Sequence, residues 1–425
     1  MAEILAVANV WLWGRYVGAV AEAKDGVITF EYAPAFALEG LEISPLLLPV
    51  STRGPITFGE LQHLEAFEGL PGVLADALPD RFGNAVIRRY YAERGRPEQA
   101  MHPVQKLLYV GDRAMGALEF RPPERVPSPA ERESLEVAEL VKQARVVIEG
   151  RPGIAIPEML RVGASAGGAR PKALILWNRR TNKVRSGFAE QRPGDEHWIL
   201  KFDGVGELGA PDETPKPYNR IEYVYAKLAR DAGIEMPETQ LLEDGGFGHL
   251  LVRRFDRSSG GKLHLHSLGG MRHVDYNLPG ELSYEEFLRT TLTLGLDYPA
   301  LEEAYRRAVF NIVTVNQDDH VKNVSFIMDE RGAWRLSPAY DLTYARGHGY
   351  TRMHQMTLNG KRDDFTRDDL IALGANMGIN RDGVEVIEQV TSAVGNWPHY
   401  AEAAAVPHDL IRGIGAEFRI VGLGR

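Results

Sequence analysis

The 425-residue sequence contains no cysteine and no long apolar segment. The first absence excludes disulfide bonds, zinc sites built on thiolates and a thiol nucleophile. No segment approaches the roughly 18 consecutive apolar residues that a membrane-spanning helix requires. The opening stretch, MAEILAVANVWLWGRYVG, lacks the basic region and cleavage site of a secretory signal. We therefore expect a cytoplasmic protein that does not contact the membrane.

Basic residues are fewer than acidic residues, and internal repeats and long low-complexity tracts are absent. The formal net charge of −9 argues against non-specific binding of nucleic acid over the whole surface. Apolar residues make up 44% of the chain and charged residues 25%, as in soluble globular proteins. A chain of this length exceeds one ordinary hydrophobic core, so we expect two or three domains or subdomains.

The first third of the chain mixes strand and loop signals. VWLWGRYVGAVAEAKDGVITFEYA predicts a small sheet, and the stretch after it predicts helices interrupted by glycine and proline. RPPERVPSPAERE then carries four prolines in thirteen residues, and Ser128 begins a capping box that ends at Glu131. We place a domain boundary near residue 125.

Three later apolar segments have strand character: KALILWN (172–178), HWILKFD (197–203) and GHLLVRRFD (248–256). Between the second and third, residues 219–233 carry apolar residues at helical spacing and end in Gly233, which suits a helix C-terminus. From Ser283, which starts another S-x-x-E pattern, the sequence predicts mostly helix. Two short strand-like runs, VSFIMD and AWRLSPAYD, interrupt that region.

A loop of small residues, VGASAGGARPKALIL (162–176), precedes the first of these strands. Small residues let backbone N–H groups converge on an anion, and Arg170 and Lys172 add positive charge. The spacing is not that of the Walker P-loop, and a flexible loop without a ligand explains the same composition.

Lys201 lies within the apolar strand HWILKFD. A lysine there is costly unless it faces a cleft and finds a partner, although an outward-facing lysine on an edge strand gives the same pattern. Glu222 on the following helix is the partner that we predict. A glycine-rich loop, a strand lysine and a helix glutamate in this order match the smaller lobe of protein kinases, where the lysine holds ATP phosphates.

The stretch NQDDHVKN (316–323) concentrates carboxylates, amides and a base between two apolar elements. Asp318 and Asn323 are five residues apart, as are the base aspartate and the metal-binding asparagine of the kinase catalytic loop. Asp341, in SPAYDLT, follows a strand-like run, where a metal-binding aspartate of the DFG type belongs. Because Mg²⁺ prefers oxygen ligands, we predict that Asn323 and Asp341 bind it. Asp318 is then predicted to take the proton of the acceptor hydroxyl.

Three neighbours in this stretch are open to more than one interpretation. Asp319 fits a solvated neighbour or cap as well as a functional carboxylate. His320 fits a packed structural histidine or a contact to ATP phosphate. Lys322 could approach the transferred phosphate, but an exposed lysine is the simpler explanation.

Two further polar groups carry weaker signals. His264, His266 and His273 lie in a glycine-rich loop, where H-x-H spacing is compatible with metal binding, but no set of carboxylates lies nearby in the sequence. The charged run 361–369 predicts a solvated helix start with Thr366 as its cap.

These motifs together resemble HipA, the family of serine/threonine kinase toxins from bacterial toxin–antitoxin modules. The resemblance extends over nearly the whole chain and rests on FEGLPGVLADALPDRFG, SAGGARPKALI, WILKFD, LVRRFDR, and NQDDHVKN followed by SPAYDLT. It implies an α+β fold in which a small mixed N-terminal domain, residues 1–125, packs against a two-lobed protein-kinase-like core, residues 126–425. The smaller lobe is expected at about 126–257 and the mostly helical lobe at about 258–425.

The resemblance also implies roles for individual residues. Asp318 would be the catalytic aspartate, Asn323 and Asp341 would hold Mg²⁺, and Lys201 would contact ATP phosphate. Ser165 matches the family's autophosphorylated serine, whose modification expels the ATP loop and silences the enzyme; a dianion in a phosphate cradle should repel ATP. The residues expected around ATP are Ser165, Ala166, Gly167, Gly168, Ala169, Lys172, Lys201, Arg253, Phe255, His320, Lys322 and Tyr340.

Cofactors and partners follow from the same resemblance. ATP and Mg²⁺ are the expected cofactors, and a protein, for example an aminoacyl-tRNA synthetase, is the expected substrate. A DNA-binding antitoxin is the expected partner, and nucleic acid would be reached only through it. Arg253 departs from the family pattern, since an acidic residue is expected there at the hinge, and this bears on nucleotide preference.

Three other functions fit part of the pattern. A small-molecule kinase shares the spacing of Asp318 and Asn323 and the metal aspartate. A weakly catalytic module would bind a DNA-binding antitoxin without turning over ATP. A metal-dependent hydrolase built on Asp318, Asp319, His320 and Asp341 would leave the glycine-rich loop and the strand lysine without a role.

Overall fold

The computed structural model describes residues 3–92, 95, 102–124, 135–148, 170–205, 217–258 and 261–419. Residues 125–133 of the proline-rich boundary, which include the capping box at Ser128, and the glycine-rich segment from Ser165 to Ala169 lie outside these ranges. The described residues form an N-terminal domain, a small lobe built on a five-stranded sheet and a larger, mostly helical lobe. This is the α+β arrangement with a two-lobed core that the sequence predicts.

The N-terminal domain contains an antiparallel sheet with strand order β4-β3-β2-β1-β5. Its elements are β1 (Ile4–Leu12), β2 (Arg15–Ala23), β3 (Ile28–Tyr32), α1 (Pro34–Glu39), β4 (Ile56–Thr57), α2 (Gly72–Ala75), α3 (Arg81–Ala92), α4 (Pro103–Val110) and β5 (Leu118–Arg121). Trp13 and Gly14 have φ of 50° and 76°, which fits the two-residue turn that joins twisted neighbouring strands. Alternate residues of β1, namely Ala8, Val10 and Leu12, are fully buried, so one face of the predicted sheet forms the domain core.

The small lobe is an antiparallel sheet with order β7-β6-β8-β10-β9, against which one long helix packs. Its elements are α5 (Val137–Ile148), β6 (Lys172–Asn178), β7 (Lys183–Ser186), β8 (Asp195–Lys201), α6 (Tyr218–Asp231), β9 (Thr239–Asp244) and β10 (Phe247–Arg253). The three apolar segments therefore form strands, and the helix predicted at 219–233 is α6. Its residues Ile221, Val224 and Leu228 are buried, and Gly233, with φ of 82°, follows its end as predicted.

The large lobe combines helices with a three-stranded sheet of order β13-β14-β15. After the short hairpin β11 (Arg257–Ser258) and β12 (Gly261–Lys262), its elements are β13 (His264–Ser267), α7 (Leu268–Arg272), α8 (Tyr284–Thr293), α9 (Tyr298–Val313), β14 (Ser325–Met328), β15 (Trp334–Leu336), α10 (Arg367–Met377), α11 (Val384–Val394), α12 (Trp397–Ala403) and α13 (His408–Glu417). The two strand-like runs of the sequence are β14 and β15. Within the described ranges, no helix combines the length and the apolar character needed to cross a membrane.

Two helices of the large lobe begin with capping boxes. Ser283 Oγ accepts a hydrogen bond from the N–H of Glu286 at 3.1 Å, and the Glu286 carboxylate accepts one from the Ser283 N–H at 3.2 Å. Thr366 and Asp369 form the same reciprocal pair at α10, which confirms Thr366 as the cap. The segment is less solvated than predicted, because Asp369 is only 7% exposed and accepts a bond from Lys361 Nζ at 2.7 Å.

Candidate active site

A cleft between the two lobes encloses about 680 Å³, part of it open to solvent. Much of its lining is apolar, including Ile199, Met236, Val252 and Leu342. Its polar edge carries Lys172, Lys201, Glu222 and Asp341. An apolar slot that ends at charged groups suits a ligand with an apolar ring system and a charged tail.

Lys201 is the last residue of β8 and lines this cleft. Its Nζ lies 2.6 Å from Glu222 Oε1 on α6 and also forms an ion pair with Asp341. Burial alone would lower the pKa of Lys201, but the carboxylates of Asp341 and Glu222 raise it above its ordinary value. The lysine is therefore firmly charged, and the structure brings it together with the glutamate that the sequence pairs with it.

Asp341 lies five residues after the end of β15 and has φ of 55°, which is uncommon for a residue other than glycine. Burial alone would raise the pKa of Asp341, but the positive charges of Lys201 and Lys172 hold it below its ordinary value. In contrast, burial raises the pKa of Glu222. Asp341 is thus the more readily ionised of the two carboxylates that contact Lys201.

The loop 314–323 joins α9 to β14 and contains Asp318 and Asn323. Asn323 Nδ2 donates a hydrogen bond to the backbone oxygen of Asp318 at 2.9 Å, which ties the two residues together across their five-residue spacing. The Asp318 side chain is 40% exposed, and His320 Nε2 lies 3.9 Å from its Oδ1. Partial burial, together with the negative charges of Asp341 and Asp319, raises the pKa of Asp318. The loop therefore holds a carboxylate beside Asp341 that binds protons more readily than an ordinary aspartate.

Asp319 is not the solvated neighbour that one of the sequence interpretations describes. Its side chain is fully buried and accepts hydrogen bonds from Tyr284 Oη at 2.5 Å, His354 Nδ1 at 2.8 Å and the Gln355 N–H at 2.6 Å. Neither is it the cap of a helix. Asp319 anchors the loop to α8 and to the chain that follows Asp341.

His320 and Lys322 both lie against aromatic rings. The His320 ring centroid is 5.4 Å from that of Tyr276 and 6.5 Å from that of Tyr350, and the residue is only 9% exposed. Lys322 Nζ lies 5.3 Å from the Tyr276 ring centroid, a cation–π distance. These contacts favour a packed His320 and place a partly exposed Lys322 beside it, without assigning either to a ligand.

The chain that joins the lobes carries Arg253 and Phe255, both of which line the cleft. Arg253 is half exposed and lies 3.7 Å from a Glu196 oxygen and 3.6 Å from a Glu238 oxygen. The Phe255 ring stacks on Tyr340 with centroids 5.7 Å apart. The cation that departs from the family pattern is therefore balanced by carboxylates of the small lobe.

Tyr340 also lines the cleft, and contacts of its hydroxyl group hold the side chain in place. Its hydroxyl contacts Ser325 Oγ at 2.5 Å and donates to the backbone oxygen of Lys322 at 2.7 Å. Of the other residues expected around ATP, Lys172 lies in the cleft lining, whereas Ser165, Ala166, Gly167, Gly168 and Ala169 are outside the described residues.

The three histidines of the glycine-rich stretch are used in contacts between the N-terminal domain and the large lobe. His264 Nε2 bonds to the Ile43 oxygen at 2.8 Å, and His273 Nε2 accepts from the Gly72 N–H at 3.1 Å. His266 bonds through one ring nitrogen to Asp76 at 2.7 Å and through the other to Ser44 at 3.0 Å. All three histidines therefore contact the N-terminal domain within the same chain.

Asn323 and Asp341 fit a magnesium ion that is held mainly by phosphate and water. The Asn323 bond to the Asp318 backbone uses an amide hydrogen and leaves the amide oxygen as a donor for a metal. The Asp341 carboxylate is readily ionised and lines the cleft. The part of the chain that the structure describes contains no cluster of three or more acidic, histidine or cysteine side chains that could hold a metal by itself. This donor set suits Mg²⁺, which takes one or two protein carboxylates and completes its shell with phosphates and water.

The two lobes, the lysine–glutamate pair on the sheet side and the aspartates on the helical side define a protein with a kinase-like fold. The family model of the HipA-like C-terminal domain matches residues 164–397, and the family model of the HipA N-terminal domain matches residues 8–121. The chain belongs to the HipA family, as its motifs predict.

Two relatives are distant in sequence but match most of the chain. Two proteins of Sinorhizobium fredii carry the provisional names of kinases Y4dM and Y4mE. The first is 25% identical over 388 residues, which cover 87% of this chain and 85% of the relative. The second is 26% identical over 358 residues, which cover 79% and 76%.

Among solved structures, the HipA toxin of Shewanella oneidensis, in a complex with HipB and operator DNA, is similar with a TM-score of 0.67 at 16% identity. The match covers 96% of this chain and 95% of that one. At this identity the likeness shows the fold, and it extends across the N-terminal domain and both lobes.

Proposed function

We propose that this chain is a protein kinase that transfers the γ-phosphoryl group of ATP to a serine or threonine hydroxyl. The observation that carries the proposal is the position of Lys201, which contacts both Glu222 and Asp341 at the polar edge of an apolar cleft. Membership of the HipA family and relatives named as kinases support the same reaction class.

ATP occupies the cleft in this proposal, with the adenine between apolar side chains of the two lobes and the phosphates at the lysines. Ile199 and Val252 come from the sheet, and Leu342 comes from the large lobe. Lys201 and Lys172 neutralise phosphate charge. Ser165 to Ala169, which lie outside the described residues, are proposed phosphate-binding residues on the family resemblance alone, as are His320 and Lys322.

Asn323 and Asp341 would hold Mg²⁺, which would supply positive charge to neutralise the transferred phosphoryl group. Asp318 accepts the proton of the substrate hydroxyl while the oxygen of that hydroxyl bonds to the γ-phosphorus. The bond from that phosphorus to the bridging oxygen of ADP breaks, and ADP leaves. Its raised pKa suits Asp318 to this step, because a carboxylate that binds protons more readily is a better base.

The substrate class is tested by phosphoproteomics of a bacterial lysate incubated with ATP, Mg²⁺ and either the wild type or Asp318→Ala. New phosphoserine or phosphothreonine sites that appear only with the wild type support the proposal, and an aminoacyl-tRNA synthetase is one class of substrate to examine. Phosphorylation confined to added small alcohols would instead make the protein a small-molecule kinase. ATP consumption by Asp318→Ala at the wild-type rate would refute the assigned base.

Ser165 is proposed as the site of autophosphorylation, which would limit the kinase by placing a dianion among the ATP phosphate contacts. Intact-mass analysis after incubation with ATP and Mg²⁺ is expected to show one added phosphate. A modification that persists in Ser165→Ala would refute this site.

We further propose that the protein acts in the cytoplasm as the toxin of a toxin–antitoxin pair, with a DNA-binding antitoxin as its partner. The complex of the Shewanella toxin with HipB and operator DNA supports this arrangement. The net charge of −9 favours contact with DNA through the partner rather than directly. Co-purification with the product of an adjacent gene tests it, and an unaccompanied protein that binds operator DNA by itself would contradict it.

A further inference from the structure

Two lysines stand directly opposite each other at the edge of the nucleotide cleft. Lys172 at the start of β6 pairs in register with Lys201 at the end of β8. Residues opposite each other in antiparallel strands share a face of the sheet, and like charges in this arrangement repel. Lys201 is neutralised by Glu222 and Asp341. The Lys172 ammonium therefore also requires a nearby negative charge to stay opposite Lys201.

A carboxylate for Lys172 comes from the N-terminal domain. Lys172 Nζ lies 2.9 Å from Asp80 Oδ2, and the two side chains are only 6% and 2% exposed. The other Asp80 oxygen accepts a hydrogen bond from the Gly83 N–H at 2.6 Å, which fixes the carboxylate at the start of α3. A buried ion pair of this kind depends strongly on both partners, since removing one leaves an uncompensated charge.

The same short segment of the N-terminal domain is fixed to the large lobe. Four residues before Asp80, Asp76 accepts bonds from His266 Nδ1 and from the backbone and hydroxyl of Ser267, all at 2.6–2.7 Å. A side chain on Gly72 would place its Cβ 2.0 Å from the Gly270 oxygen, so the two backbones meet at a distance that only glycine allows. Asp80 is thus carried by a segment whose position the large lobe sets.

From these contacts we propose that Asp80 is a positioning residue of the nucleotide site. It holds the Lys172 ammonium beside Lys201, so that the N-terminal domain completes a phosphate-binding edge formed by the kinase-like core. The inference rests on the proposed kinase function and adds the N-terminal domain to the machinery of that site.

The test compares Asp80→Asn with wild type in calorimetric binding of ATP with Mg²⁺ and of adenosine, which has no phosphates. Because Lys172 serves the phosphates, Asp80→Asn is expected to weaken ATP binding about tenfold and adenosine binding by less than about twofold. Equal weakening of both ligands, or no weakening of either, would overturn the proposal. Asp195→Asn is the matched control, since Asp195 forms a buried pair with Arg185 at the far end of β8. It is expected to leave both affinities unchanged.

A double-mutant cycle separates positioning from a general structural role. If Asp80 acts through Lys172, then Asp80→Asn adds no further loss of ATP affinity in a Lys172→Met background. An additional loss in the double variant would contradict this route. This comparison needs only Lys172→Met and the double variant, each checked for folding by circular dichroism, so it remains valid even if Asp80→Asn alone does not fold.

The proposed kinase function and the positioning role of Asp80 can be refuted separately. Wild-type protein that does not bind ATP would refute the proposed function and this role of Asp80 with it. Wild-type binding with an unaffected Asp80→Asn variant would refute only the positioning role.

Discussion

The two sides of the loop 314–323 differ in exposure and in hydrogen bonding. On the outer side, Asp318 is 40% exposed, has a raised pKa, and accepts no hydrogen bond from the described residues through its carboxylate. On the inner side, the Asp319 side chain is fully buried and accepts three hydrogen bonds. Of these two neighbours, Asp319 is fixed by its buried hydrogen bonds, whereas the Asp318 carboxylate stays partly exposed.

This difference shows what distinguishes a chemical group from a structural one of the same type. A buried carboxylate whose oxygens accept hydrogen bonds from the protein is held in one position and serves the fold. A partly buried carboxylate beside other negative charges has a raised tendency to accept a proton. The environment, rather than the residue type, thus separates Asp318, the proposed base, from Asp319.

The largest expected effect on stability is that of Asp319→Ala. The change would leave Tyr284, His354 and the Gln355 N–H without their buried acceptor, at a cost of about 3–5 kcal/mol in the free energy of unfolding. Urea unfolding followed by circular dichroism measures this cost. Exposed Asp368→Ala is the control, expected to change stability by less than about 0.5 kcal/mol. A loss below about 1 kcal/mol for Asp319→Ala would remove the structural side of the comparison.

Lys201→Met should affect chemistry more than folding. Phosphoryl transfer is expected to fall about 10²–10³-fold, because the change removes a fixed positive charge from the phosphate site. The fold should survive, because Glu222, whose pKa is already raised by burial, can take up a proton when its partner is lost. Initial rates of ADP formation measure the effect, and exposed Lys142→Met in the same lobe is the control. Near-normal rates for Lys201→Met would show that the lysine serves only the fold.

Asp369 is a second aspartate whose carboxylate accepts several hydrogen bonds within the protein. Burial alone would raise the pKa of Asp369, but bonds from Lys361 and Thr366 lower it to about 2. Since the folded pKa is depressed, its stabilisation is present above the ordinary value of 3.8 and is lost as pH falls through about 2. Asp369→Asn should therefore cost about 1 kcal/mol near neutrality, and the cost should shrink in acid. Unfolding curves across this range check the trend; a cost that grows in acid would contradict it.

Asp318→Asn should have the smallest effect on stability, and of opposite sign. Because the folded state raises the pKa of Asp318 above 3.8, the group favours folding while protonated, and that contribution is lost as pH rises through the folded value. The neutral amide should therefore stabilise the fold near pH 7 by less than about 1 kcal/mol, since the side chain is partly exposed. Thermal unfolding is the measurement. Destabilisation by more than that amount would place Asp318 among the structural residues.

Local sequence patterns predicted the elements that position the site. Strand and helix periodicity placed β6, β8, β10 and α6, because each buries one face or stripe against a neighbour. The pairing of Lys201 with Glu222 was predictable for a related reason, since a lysine in an apolar strand requires a nearby carboxylate.

Contacts between distant segments were not predictable. The partners of Asp319 in Tyr284 and His354 lie 35 residues before it and 35 after it, with no pattern that links them. The contact of Asp80 with Lys172 was missed for the same reason. The spacing to Asn323 distinguished Asp318 from Asp319 in the sequence, but the buried anchoring role of Asp319 became visible only in the tertiary packing.

The most direct test of the account is the rate of phosphoryl transfer by Asp318→Asn, measured on protein whose folding has been checked by thermal unfolding. The side chain keeps its shape and loses its capacity to accept a proton, so transfer to a protein hydroxyl is expected to fall about 10²–10⁴-fold with the fold intact. Transfer within about tenfold of the wild-type rate by the folded variant would contradict the account.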